Sequence, residues 1–91
     1  TITLGTGKSQ YLPISGNGAA ITTSNTPFAS TPLDGTIITL EGTDDTNTVT
    51  ITMTDSAGGC VGNGNITLSK YNTITFVYRS SISRYIEISR S

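Results

Sequence analysis

The sequence predicts an all-β fold, a small antiparallel β-sandwich or jelly-roll of about eight short strands, on three observations. Apolar residues alternate with Thr or Ser along most of the chain, the period of a strand with one buried face. The intervening stretches are turn chemistry, with Gly, Asn and Asp in pairs and triplets. No window of ten residues holds enough Ala, Leu, Glu and Lys to favour a helix.

Residues 2–4, 11–14, 21–23 and 36–40 read as short strands. They are separated by Gly5-Thr6-Gly7, Ser15-Gly16-Asn17-Gly18 and Asp34-Gly35, where Gly and Asn tolerate the positive φ of tight turns. Residues 24–35 form a longer connection, with Pro27 and Pro32 framing Phe28 and no periodicity. The clearest strand is 48–54, with Val49, Ile51 and Met53 on one face and four Thr residues on the other. Thr is β-branched and stiff, so it suits extended backbone while staying soluble. Residues 66–68 follow the Gly62-Asn63-Gly64 turn. Residues 73–78 place Ile74, Phe76 and Tyr78 inward. Residues 84–88 are expected to place Ile86 and Ile88 inward and Tyr85 outward. Connections of mixed length favour a Greek-key element, with a small closed barrel as the alternative. No internal repeat of 20–50 residues is visible, which argues against a solenoid built from this segment alone.

With 91 residues the chain is one domain, residues 1–91, and its stability margin is thin. Hydrophobic residues make up 34%, a modest core, so the domain is expected to lean on a second domain or on copies of itself. A first residue of Thr1 rather than Met, leading straight into Ile2-Thr3-Leu4, suggests the C-terminal piece of a longer chain. The net charge of -1 provides no basic field for nucleic acid. No apolar run approaches the 18 residues of a membrane span. Cys60 is the single cysteine, so no internal disulfide forms, and folding in a reducing compartment is the simpler expectation.

The inventory for catalysis is poor. There is no His to act as a base near neutral pH, and one Cys falls short of a zinc site, so neither metal nor cofactor is expected. Glu41, Asp44 and Asp45 are the candidates for paired-carboxylate glycoside chemistry, but Asp in a turn more simply bonds its own backbone. A calcium site from Asp44, Asp45, Asn47 and Asp55 matches no established loop spacing. Gly5-Thr6-Gly7-Lys8-Ser9 lacks the spacing of a phosphate loop, and no helix follows it. Among Tyr11, Tyr71, Tyr78 and Tyr85, exposed rings beside Asn and Thr would suit a sugar face. Tyr85, Tyr71 and Asn72 are the binding candidates.

The stretch from Gly64 to Tyr78, closing in Arg84-Tyr85-Ile86-Glu87-Ile88-Ser89-Arg90-Ser91, resembles the C-terminal ends of bacteriophage tail-fibre and tailspike proteins, those with an upstream pectate-lyase-like β-helix. The shared pattern is a strand, a short turn, an alternating strand, a hairpin and an aromatic-Ile-Glu-x-Ser-Arg close, here with Tyr85 where Trp is common. Residues 36–40 and 47–51 also fit the family's middle strands. The resemblance covers residues 35–91 well and the first third loosely. It implies a C-terminal sandwich in a homotrimeric fibre, located in the virion tail and made in the host cytoplasm. It carries over no catalytic residues. A thin core under a Thr-rich exterior suits threefold association, in which Glu87, Arg90 and Arg84 are candidates for intersubunit pairing.

The expected function is therefore structural and adhesive, supporting trimerisation and attachment to a host-surface glycan, without enzymatic activity. The alternative is a carbohydrate-binding module appended to a secreted polysaccharide-active enzyme. A small glycan-active enzyme using Glu41, Asp44 and Asp45 is a weaker third reading.

Overall fold

Eight strands form two sheets in the computed structural model, which describes residues 2–91. The strands are β1 Ser9–Ile14, β2 Ile21–Thr22, β3 Ile37–Gly42, β4 Val49–Ile51, β5 Cys60–Val61, β6 Ile66–Leu68, β7 Thr73–Arg79 and β8 Arg84–Arg90. The larger sheet has the order β1-β3-β7-β8-β5, and the smaller has the order β2-β4-β6. The all-β sandwich expected from the alternation is thus the observed fold. Residues 2–4 contribute only a bridge, Ile2 beside Phe28, while β5 adds a strand beyond those read from the sequence.

Pairing is mixed rather than antiparallel throughout. β1 runs parallel to β3 and β2 parallel to β4, with the same offset of 28 residues: Ser9 lies beside Ile37, and Ile21 beside Val49. Each second-layer strand then meets an antiparallel partner, β7 for β3 and β6 for β4. The chain therefore winds one stacked turn across both sheets, which the absence of a sequence repeat does not suggest. β5 joins the far side of β8, also in parallel.

The alternation reads directly into the core. Ile38, Leu40, Ile74 and Phe76 from the large sheet and Val49, Ile51 and Leu68 from the small one are buried together. Phe28, from the long connection, stands edge-on to Phe76 with ring centroids 6.3 Å apart and lies 4.4 Å from Tyr85.

In β8 the expected inward and outward residues exchange. Tyr85 is the exact partner of Tyr78 across the antiparallel ladder, so both rings enter the core, 4.7 Å apart. Tyr85 is only 3% exposed, and its hydroxyl donates to the Ser30 carbonyl. Ile86 consequently faces outward. A bulge places Phe76 opposite Glu87 and Thr75 opposite Ser89, leaving Ile88 unpaired and exposed.

Candidate functional site

Every carboxylate side chain has a local structural neighbour. Asp44 accepts the N–H groups of Thr46 and Asn47, and these two bonds hold its carboxyl below the usual carboxylate range. Asp45 accepts the Lys70 N–H, joining the β3–β4 loop to the turn after β6. Asp34 accepts the Ser80 N–H, which likewise lowers its pKa and anchors the β7–β8 turn. Asp55 accepts from Arg84 Nε at 3.0 Å. Glu41 lies beside Tyr11, whose phenol is raised by desolvation first and then by the Glu41 carboxylate. Of the three carboxylates considered for glycoside chemistry, Asp44 and Asp45 accept backbone N–H groups and Glu41 lies beside Tyr11.

Glu87 has the most closely held carboxylate. It accepts from Arg90 Nε at 2.6 Å and Arg90 Nη2 at 2.8 Å, a two-pronged contact, and from the Asn63 N–H at 2.8 Å. Arg90 Nη2 also donates to the Gly64 carbonyl. The Arg90 contact, followed by the Asn63 N–H, holds the Glu87 carboxyl low despite desolvation. Gly62 makes this fit possible, because a Cβ there would collide with the Glu87 side chain. Arg84 also donates to the Ile82 carbonyl. The three side chains considered for intersubunit pairing are thus engaged within one chain, closing the ends of β5 and β8.

The binding candidates separate. Tyr85 is in the core and offers no face to a sugar. Tyr71, a residue 72% exposed, sits at the tip of the β6–β7 turn with φ of 69°. This left-handed conformation is unusual for an aromatic residue. It is held by the Tyr71 N–H donating to the Gly42 carbonyl, and by Asn72, whose side-chain oxygen accepts the Ser69 N–H. Lys70 Nζ lies 5.2 Å from the centre of the Tyr71 ring. Asn72 is therefore a brace for the turn, and Tyr71 is the projecting ring.

Two recesses stand out among the described residues. An open cleft of about 370 Å³ lies at the end of the sandwich between β1 and β2, lined by Leu12, Ile14, Ile21, Pro27 and Val49 among others, with no ionisable side chain. A second, of about 230 Å³, has Lys8 as its one charged side chain. No group of three or more acidic or Cys side chains is arranged to hold a metal among the described residues. No helix among them is long and apolar enough to cross a membrane.

The outer face of the large sheet is unusual. Ile37 pairs with Val77, Val77 with Ile86, and Ile86 with Val61, forming a row of four apolar side chains opposite the core. Simple alternation does not single these residues out. The available signal is that each strand carries adjacent apolar residues at this level: Ile37-Ile38, Phe76-Val77, Tyr85-Ile86 and Cys60-Val61.

No protein-family model matches the chain, and no curated protein matches it. A solved structure described as "Structure of a chaperone-substrate complex" contains a chain with a similar fold, at TM-score 0.61 and 9% identity. The match covers 97% of the present chain and 14% of that one, and at this identity it shows the fold alone.

Proposed function

We propose that this domain is the structural and adhesive C-terminal module of a phage tail fibre or tailspike, supporting homotrimer formation and attachment to a host-surface glycan in the virion tail. The observation that carries this reading is the arrangement of the carboxylates. Asp34, Asp44, Asp45, Asp55 and Glu87 hold loops and strand ends through backbone amides or Arg side chains. Reaction chemistry by paired carboxylates needs side chains converging on a substrate cleft. Here the ionisable groups build a scaffold, and the features left to present are sheet surfaces and the Tyr71 ring.

Tyr71 also favours the alternative of a carbohydrate-binding module appended to a secreted polysaccharide-active enzyme, because a braced, exposed ring suits a pyranose face in either setting. Sedimentation mass and glycan binding test the two together. A trimer that binds a bacterial surface polysaccharide, with binding lost in Tyr71→Ala, supports the fibre reading. A stable monomer with the same Tyr71-dependent binding supports the appended module. Polysaccharide binding unchanged in Tyr71→Ala removes Tyr71 from either role.

A further inference from the structure

We infer that Asn17-Gly18, in the turn between β1 and β2, is a site of spontaneous deamidation, and that the Glu87–Arg90 contact withholds the same chemistry from Asn63-Gly64. The inference is independent of the function proposed above.

The reaction needs only an Asn, the next backbone nitrogen and solvent water. The Gly18 nitrogen gives up its proton to solvent and attacks Cγ of Asn17. A bond forms between that nitrogen and Cγ, the bond from Cγ to Nδ2 breaks, and ammonia leaves behind a succinimide ring. Water then opens the ring. Attack at Cγ leaves Asp, and attack at the main-chain carbonyl leaves isoaspartate, with the chain running through the former side chain. Nothing is oxidised or reduced.

The peptide unit after the Asn must swing until its nitrogen meets the side chain, so the backbone there must be free to turn. A Gly successor leaves that path open, whereas a β-branched successor crowds it. Asn25, Asn47, Asn65 and Asn72 precede Thr or Ile, and only Asn17 and Asn63 precede Gly. The side-chain oxygens of Asn25, Asn65 and Asn72 also accept hydrogen bonds, from Thr54 Oγ1, the Met53 N–H and the Ser69 N–H.

Exposure does not separate the two Asn-Gly pairs. All four residues are exposed, and both glycines have positive φ, 77° at Gly18 and 97° at Gly64. Hydrogen bonding separates them. The Asn63 N–H donates to Glu87 Oε1 and the Gly64 carbonyl accepts from Arg90 Nη2, each at 2.8 Å. The peptide unit between them is pinned on both sides, by a carboxylate whose side chain is only 3% exposed and by its Arg partner. Asp34-Gly35, which can close the same ring, is pinned more directly, because the Gly35 N–H itself donates to the Tyr78 carbonyl. The β1–β2 turn is anchored at its ends, where the Gly16 N–H donates to the Asn47 carbonyl and the Ile21 N–H to the Thr48 carbonyl. Between those anchors, no hydrogen bond within the chain holds Asn17 or Gly18 among the described residues. Conversion there places a carboxylate in residues 9–33, a stretch without a charged side chain that supplies most of the lining of the open cleft.

Peptide mapping by mass spectrometry of the folded full chain, aged in mildly alkaline buffer, tests the assignment. Asn17 is expected to convert at least about tenfold faster than Asn63. Isoaspartate in the Asn17 peptide is expected to be detected by enzymatic carboxyl methylation. In urea, where both pairs are free, the two rates are expected to converge. Glu87→Ala, confirmed as folded by circular dichroism, is expected to raise conversion at Asn63 and leave Asn17 unchanged. Should that variant fail to fold, Arg90→Ala provides the second measurement, and the comparison of folded with urea-unfolded wild type needs no variant. Asn17 converting no faster than Asn63 in the folded chain overturns the inference. So does a rate ratio that persists in urea, which would place the difference in local sequence instead of the fold. Protection of Asn63 that survives in a folded Glu87→Ala or Arg90→Ala chain overturns the role given to the Glu87–Arg90 contact.

Discussion

Replacing Tyr85 separates a core residue from a binding residue, and the structure sets the size of the effect. The ring is 3% exposed and lies against Phe28 at 4.4 Å and Tyr78 at 4.7 Å. Truncating a buried aromatic residue to Ala costs about 3–5 kcal/mol, the transfer loss plus the cavity left behind. Loss of two aromatic contacts places Tyr85→Ala near the upper end, at about 4–5 kcal/mol. A chain of this length has about 5–14 kcal/mol in total, so the variant forfeits more than a quarter of its stability. Tyr85→Phe keeps the ring and loses only the 3.2 Å bond to the Ser30 carbonyl, whose residue is exposed and can turn to water. That change costs about 0.5 kcal/mol. Urea unfolding followed by far-UV circular dichroism, at one fixed protein concentration, measures both variants. A Tyr85→Ala variant within about 1 kcal/mol of wild type would refute the buried placement. Equal losses for Ala and Phe would place the stabilisation in the hydroxyl instead of the ring.

Two pH limits follow from the same structure. Burial pushes the Cys60 thiol up to about 12, and burial, then Tyr78 and Cys60, push the Tyr85 phenol up to about 12. Both groups ionise earlier in the unfolded chain, so their contribution is complete below about pH 9 and is lost as pH rises toward 12. Equilibrium unfolding between pH 8 and 12 should show this decline, with Tyr85→Phe flattening its upper part. At the acid end the signs reverse: Glu87, Asp34 and Asp44 have lowered values, so their stabilisation is present above about pH 4.5 and fades as pH falls through their folded values. Glu87→Gln should therefore lower the melting temperature at pH 7 and differ less from wild type at pH 3. An equal difference at both pH values would contradict the charged Arg90 contact.

Much of this fold is legible in the alternation of the sequence, because a strand with one buried face leaves a period of two. Val49, Ile51, Ile74, Phe76 and Tyr78 enter the core as that period predicts. The phase of β8 is not legible. Tyr85 and Ile86 are both apolar, so either could lead inward, and the choice is made by Tyr78 and Phe28, distant in sequence. The bulge at Ile88 then breaks the period itself. The stacked turn is hidden for a related reason. A parallel ladder matches backbone to backbone, and across the 28-residue offset only Leu12 with Leu40 and Thr22 with Thr50 are identical pairs. Of the binding candidates, Tyr71 is exposed and Tyr85 is not, a distinction that residue type alone does not carry.

The ladder connectivity has a consequence for how the chain reaches this structure. Among the six ladders, β7–β8 alone joins strands that follow one another in sequence. β3 needs β7 on one side, and β1 has no neighbour except β3. Long loops must close before such distant pairings form, which slows folding. The hairpin nearest the C-terminus is the natural nucleus, and the sheet grows from it back toward earlier residues. As the chain emerges, β1 can meet β3 and the small sheet can assemble once residue 68 has appeared, but the five-stranded sheet lacks its centre until β7 and β8 follow. Commitment of the larger sheet therefore waits for the β7–β8 hairpin, while the smaller sheet does not.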